Sequence, residues 1–106
     1  MGWDDYEREL ARCQNFDIGV GYGRLIMWGT FMYEGAGQSF GYCIEEEFIK
    51  RFMNVFSVEK LQDVNGKECW VTHNHVDIRL VEPLFREDGE PFDVAAWAKE
   101  MKDKKM

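Results

Sequence analysis

The run 24–34, RLIMWGTFMYE, limits this chain more than any other segment. β-branched, aromatic and long apolar residues dominate it, and its length suits one strand. Two-residue alternation sets Leu25, Met27, Phe31 and Tyr33 on one face and Ile26, Trp28 and Met32 on the other. With apolar groups on both faces, the strand belongs in the middle of a sheet or along an interface. Gly29 interrupts the run, and an interior strand glycine marks a bulge or a close approach. At 106 residues there is room for one hydrophobic core, so a single domain over residues 1–106 is expected.

The remaining segments are read around that strand. Residues 4–14 read as a helix, because Tyr6, Leu10 and Cys13 recur at i, i+4 and i+7 and Asp4 and Asp5 suit its N-terminus. Residues 15–23 then break the helical pattern with three glycines. Gly35-Ala36-Gly37 reads as a turn into a second strand at 38–44, forming a hairpin. Residues 45–56 carry the clearest helical stripe, with Phe48, Phe52, Val55 and Phe56 on one side and Ile49 and Met53 beside them. Asn65-Gly66 is a turn, since both residues tolerate positive φ. Two further strands are expected at 68–73 and 76–82, joined through the HNH segment 73–75. Asp93 suits the N-cap of a final helix whose stripe is Val94, Trp97, Ala98 and Met101. Residues 102–106 are a charged tail expected to fray. The predicted order is α-β-β-α-β-β-α. This is an α+β fold, with an antiparallel sheet of about four strands packed against helices.

Composition narrows the function. Twenty acidic against thirteen basic residues give a formal charge of −7, the wrong balance for general phosphate binding, which needs clustered Lys and Arg. No apolar run reaches the length of a membrane span. The N-terminal MGWDDYERE is acidic and has no apolar core, so no secretory leader is expected and the setting is cytoplasmic. Cys13, Cys43 and Cys69 are odd in number and widely spaced, which suits reduced thiols packed as small hydrophobes.

Several constellations carry residue types suited to chemistry. Gly19-Val20-Gly21-Tyr22-Gly23 has neither the spacing nor the following helix of a dinucleotide loop, and reads as a structural turn. Cys69 and His73, four apart in a strand, would stand about 13 Å apart, too far for one ion, and His73 with His75 makes at most a weak pair. Nucleophilic catalysis would have to draw on these two histidines, and no nucleophile elbow is present. No catalytic residue, cofactor or metal site is therefore expected. Glu45, Glu46 and Glu47 form one acidic group at a helix start, and Glu87, Asp88 and Glu90 form a second in a loop.

The hairpin residues Gly35, Gly37, Gln38, Phe40 and Gly41, followed by the turn residues Gly66 and Lys67, resemble a group of small phage and prophage proteins. That resemblance spans residues 23–93 and departs at Tyr42, where members of the group carry a second glycine. It implies origin in a mobile genetic element rather than a mechanism. The expected function is that of an acidic phage-type binding protein, an inhibitor of a host defence complex of the anti-CRISPR kind. It would act in the host cytoplasm by occupying a basic surface or mimicking nucleic acid. Glu45, Glu46, Glu47, Glu87, Asp88 and Glu90 would supply its charges, and Gln38 and Phe40 its shape-specific contacts. One alternative is a single-stranded nucleic-acid-binding accessory protein that stacks bases on Trp28, Trp70, Tyr22 and Tyr33. Another is a small enzyme of unknown class. A homodimer is also open, through the doubly apolar strand and the terminal residues Trp3 and Trp97.

Overall fold

A computed structural model describes residues 5–43, 45–74 and 76–104; Trp3 and His75 lie outside them. The chain runs β1 (Glu7–Gly21), β2 (Arg24–Tyr33), β3 (Ala36–Cys43), α1 (Glu46–Phe56), β4 (Glu68–His73), β5 (Ile78–Pro83), β6 (Phe92–Asp93) and α2 (Val94–Lys104). Two short 3-10 turns, Leu61–Val64 and Arg86–Asp88, lie between. The strands form one antiparallel sheet in the order β3-β2-β1-β4-β5-β6. No helix among the described residues is long and apolar enough to cross a membrane.

This corrects the expected architecture. The sheet has six strands rather than about four, and the segment read as the first of three helices is the first half of β1, the strand between β2 and β4. The helical stripe through Tyr6, Leu10 and Cys13 was coincidental. In the strand, Ala11 and Cys13 are buried while Leu10 and Arg12 are exposed on the opposite face. Backbone pairing with neighbours on both sides overrides the helical preference of a segment rich in Glu, Arg and Leu. The glycines at 19 and 21 sit inside the same strand. Only Tyr22-Gly23 forms the turn, with φ of 54° and 73°, the two-positive pattern that matches strand twist in a tight hairpin.

β1 is bulged. Its register with β2 moves three residues, from Gln14 to Asp17, while β2 moves two, from Thr30 to Trp28, and Asn15 takes φ 58°. The bulge keeps Phe16 on the buried face. Its ring lies against Gly29, where an added Cβ would meet ring carbons at 2.2 Å, so Gly29 marks the close approach its position suggested. Asn65 replaces the disrupted ladder with its side chain: Phe16 N–H donates to Asn65 Oδ1 at 2.7 Å, and Asn65 Nδ2 donates to the Phe16 carbonyl at 3.1 Å. On either side of Gly66, Lys67 and Gly66 extend the pairing to the Cys13 amide and carbonyl.

Both helices lie on one face of the sheet. The stripe expected on α1 is the buried one, Phe48, Phe52, Val55 and Phe56. Seven of the eight phenylalanines enter this layer, with ring centroids 5.0 Å apart for Phe16–Phe52, 5.2 Å for Phe31–Phe40 and 4.9 Å for Phe48–Phe92. Asp93 caps α2 as expected, accepting from the Ala96 amide at 2.9 Å. The helix continues to Lys104, into the segment expected to fray.

Candidate partner-binding surface

The helices leave the second face of the sheet bare. Alternation places Arg8, Leu10, Arg12 and Gln14 of β1 there, with Arg24, Ile26, Trp28, Thr30 and Met32 of β2 and Trp70 and Thr72 of β4. Opposite Met32, Thr30 and Trp28, β3 places Gly37, Ser39 and Gly41, so these β2 side chains stand as a ridge beside small residues. On the other side the Trp28 ring lies over Gly19, with a ring carbon 2.8 Å from where a Cβ would be, so the indole has room only because position 19 carries no side chain. Trp28 is 45% exposed, and Leu10 and Met32 are 39% exposed. Two surface depressions, of about 480 and 440 Å³, flank Met32; Gln14 and Asn65 line the first, Leu10 and Glu68 the second, and Arg12 both.

Cations are set among these apolar groups. The Arg8 guanidinium lies 4.3 Å over the Trp70 ring while Arg8 Nε donates to Glu82 at 2.9 Å. Arg12 pairs across the strands with Met32 on one side and Glu68 on the other. Arg79 lies 5.1 Å over the Tyr6 ring, whose hydroxyl donates to Asp77. Four of the six arginines thus sit on or beside this face, next to Asp17, Glu68 and Glu82, so most of the charge of −7 lies elsewhere on the molecule.

The residues expected to meet a partner are placed differently. Phe40 is 2% exposed and packs against Phe16, Phe31, Phe48 and Phe52, which leaves it no surface to offer. Gln38 faces the covered side, where its Oε1 accepts from the Tyr33 hydroxyl at 2.7 Å and its Nε2 donates to the Asn74 carbonyl at 3.1 Å. Its strand alternates inward at Ala36, Gln38 and Phe40, so both residues are committed to the fold. Glu45, Glu46 and Glu47 are exposed at the start of α1. Lys50 holds Glu46 and Arg51 holds Glu47, each at 3.2 Å, so two of the three charges there are paired within the helix. Glu87, Asp88 and Glu90 are exposed at the far end of the same helix, where the Glu90 amide donates to the Asn54 carbonyl and Ser57 Oγ to the Asp88 carbonyl. The two acidic groups are therefore separate patches, roughly a helix length or 16 Å apart.

Of the aromatics singled out for stacking, Trp28 and Trp70 share the bare face, Tyr22 is fully exposed at the β1–β2 turn, and Tyr33 is buried. Trp97, expected at a dimer interface, packs within the chain against Phe48, Phe92 and the Arg51 guanidinium. Arg8, Leu10 and Arg12 escaped notice because they lay in the presumed helix. The signal that finds them is the alternation of Arg8, Leu10 and Arg12 with Glu9, Ala11 and Cys13.

The thiols of Cys13 and Cys69 are buried, as expected of reduced cysteines; the Cys43 side chain lies outside the described residues. A hydrogen bond with Cys69, reinforced by burial, pushes the Cys13 thiol far above the usual range. His73 is buried at the end of β4, its ring stacked on Tyr33 at 4.1 Å and its Nε2 2.9 Å from Glu9 Oε1. Burial, and then the charge of Glu9, push the Tyr33 phenol up.

Comparison with protein-family models, curated proteins and solved structures gives no match to this chain.

Proposed function

We propose that this chain is a non-enzymatic binding protein that occupies the surface of another protein through the bare face of its sheet. The observation that carries this reading is the exposure of Leu10, Trp28 and Met32 on a face that no element among the described residues covers. Exposed aromatic and methionine side chains beside arginines have the composition of an interface centre, where Trp and Arg anchors supply most of the affinity. The partner it fits presents an apolar patch bordered by basic groups. The apolar patch meets the ridge of β2, and the basic border responds to the acidic remainder of the molecule, including Glu45, Glu87, Asp88 and Glu90. A host defence complex with basic nucleic-acid channels has such a border. The inhibitor reading rests on that fit, on the charge of −7 and on the phage-like hairpin.

Direct nucleic-acid binding is less well supported. Glu82 holds Arg8 and Glu68 faces Arg12, so the face offers no continuous basic track for a phosphate backbone. A homodimer has one observation in its favour: the face carries both signs in nearly equal number, which suits contact with a second copy of itself.

The test compares the wild-type chain with a Trp28→Glu, Met32→Glu variant. Light scattering first fixes the oligomeric state; a wild-type dimer that the variant abolishes selects the homodimer. Where the wild type is monomeric, affinity capture from bacterial lysate should recover a partner that the variant loses and that raised salt releases more slowly than it slows encounter. Recovery of the same proteins by both chains overturns the proposal.

A further inference from the structure

We infer that Glu7, Glu9 and His73 form a binding site for one first-row divalent transition-metal ion at the open end of the core. Glu7 and His73 are direct cross-strand partners of β1 and β4, and Glu9 follows Glu7 on the same side of β1. One ligand atom from each, a histidine ring nitrogen and two carboxylate oxygens, lies within 4.8 Å of the others. This is a mixed nitrogen and oxygen set of the kind that suits zinc, manganese or iron. The sequence hides the site, because the cysteine and histidine nearest His73 along the chain are Cys69 and His75. The true neighbours come from β1, 64 and 66 positions away.

The histidine is prepared for this role by its surroundings. Tyr33 stacks on the imidazole with an interplanar angle of 5°, which fixes the plane of the ring. The Asn74 carbonyl lies 3.4 Å from Nδ1, and the same carbonyl is steadied by Gln38, which Tyr33 in turn holds. On metal binding, an Nδ1–H directed at that carbonyl would leave Nε2 free for the ion, the usual second-shell arrangement of a metal-bound histidine. His73 Nε2 lies 2.9 Å from Glu9 Oε1, a contact that a proton bridges in the free chain and that a metal ion would bridge in its place. An ion held at about 2.0–2.2 Å from each ligand sets nitrogen and oxygen roughly 3.3 Å apart, so the pair need open by only a few tenths of an ångström. Glu7 is exposed and can swing to close the third position, and the rest of the shell faces solvent. Two carboxylates on a chain of net charge −7 favour the dication electrostatically.

The full-length chain, titrated with Co²⁺ and followed by visible ligand-field absorption, is expected to take up one ion per chain, with Zn²⁺ displacing it. Nitrogen-detected NMR of the imidazoles should show the Nε2 signal of His73 moving on Zn²⁺ addition. Glu7→Gln lies on the surface and leaves the fold intact by circular dichroism; it should weaken Co²⁺ binding about tenfold or more. Glu9→Gln should do the same. The inference is overturned by the lack of a saturable absorption change, or by an affinity that both variants leave unchanged. It is equally overturned if Ca²⁺ displaces Co²⁺ at equal concentration, since the carboxylates alone would then be responsible, or if a thiolate-to-cobalt charge-transfer band appears, which would move the ion to the cysteines.

Discussion

The two faces of this sheet are built from the same strands and have opposite properties. On the covered face, Cys13, Phe16, Met27, Phe31, Cys69, Val71 and Val81 are each 2% exposed or less and meet two helices. On the bare face, residues one position away (Arg12, Trp28, Met32, Trp70) stand in solvent or half in it. Antiparallel sheets often have one wet face, but that face is usually polar. Here it keeps large apolar groups and sets arginines over two aromatic rings. The lesson is that strand position alone does not say whether an apolar residue is holding the fold together or waiting for something outside it; the layer above it does.

The sharpest way to test that division is to remove a ring from the covered face. Phe52 is fully buried and touches Phe16, Phe31, Phe40 and Phe56. Phe52→Ala should lower unfolding stability by about 3–5 kcal/mol, from lost transfer free energy and the cavity left behind. Urea denaturation measures it directly. A loss below 1 kcal/mol would mean the phenylalanine layer is not the core.

The next effect concerns the seam of the covered face. Asn65 alone bridges the β1 bulge, satisfying both the amide and the carbonyl of Phe16. Asn65→Ala should cost about 1–3 kcal/mol, because two backbone groups lose their partners at a partly buried position. Hydrogen exchange at the Phe16 amide should speed up selectively, and an unchanged Phe16 exchange rate would show that the bulge is held by something else.

How legible this arrangement is in the sequence differs between regions. The strand at 24–33, the α1 stripe, the Asn65-Gly66 turn and the Asp93 cap follow from local patterns that tertiary structure reinforces. β1 does not, because a bulge at Asn15 resets its alternation: Ala11 and Cys13 point inward on odd numbers, Phe16 on an even one. Before the bulge the alternation is short and carries few apolar residues on the buried side, so the helical spacing of Tyr6, Leu10 and Cys13 competes with it. The bare face is half legible. Ile26, Trp28 and Met32 stood out as a second apolar face, but only the sheet order shows that Arg8, Leu10, Arg12 and Trp70 join them. Gln38 and Phe40 were misplaced because a glycine-rich hairpin suggests exposure, whereas its alternate residues close the core.

A buried thiol of the covered face also makes stability depend on pH. Cys13 lies beside Arg12 but is buried, and its thiol is held neutral by Cys69 and by burial. Its pKa in the folded chain is above its value in the unfolded chain. The stabilisation is therefore fully present below about pH 8.5, where an unfolded thiol begins to ionise, and is lost as pH rises beyond it. The expected slope is about 1.4 kcal/mol per pH unit on the alkaline side. Comparing Cys13→Ala with the wild type isolates this contribution, since other alkaline groups act in both chains. Parallel stability curves from pH 8 to 10 would show that the thiol does not gate the core.

The smallest expected effect is the one that separates the faces most cleanly. Trp28 and Phe31 lie three residues apart in β2, and both are large aromatics. Phe31 contacts Phe16, Phe40 and Phe52, whereas Trp28 lies over Gly19 and is 45% exposed. Trp28→Ser should change unfolding stability by about 1 kcal/mol, well below a core truncation, because nearly half of the side chain stays in solvent when the chain folds. The same substitution should reduce surface hydrophobicity, read as weaker binding of an apolar fluorescent probe, and abolish partner or self-association through the face. A residue whose removal barely moves the melting transition yet removes an association is acting outward. If Trp28→Ser instead costs as much as a core truncation, the bare face is a structural layer in its own right, and the division between the two faces fails.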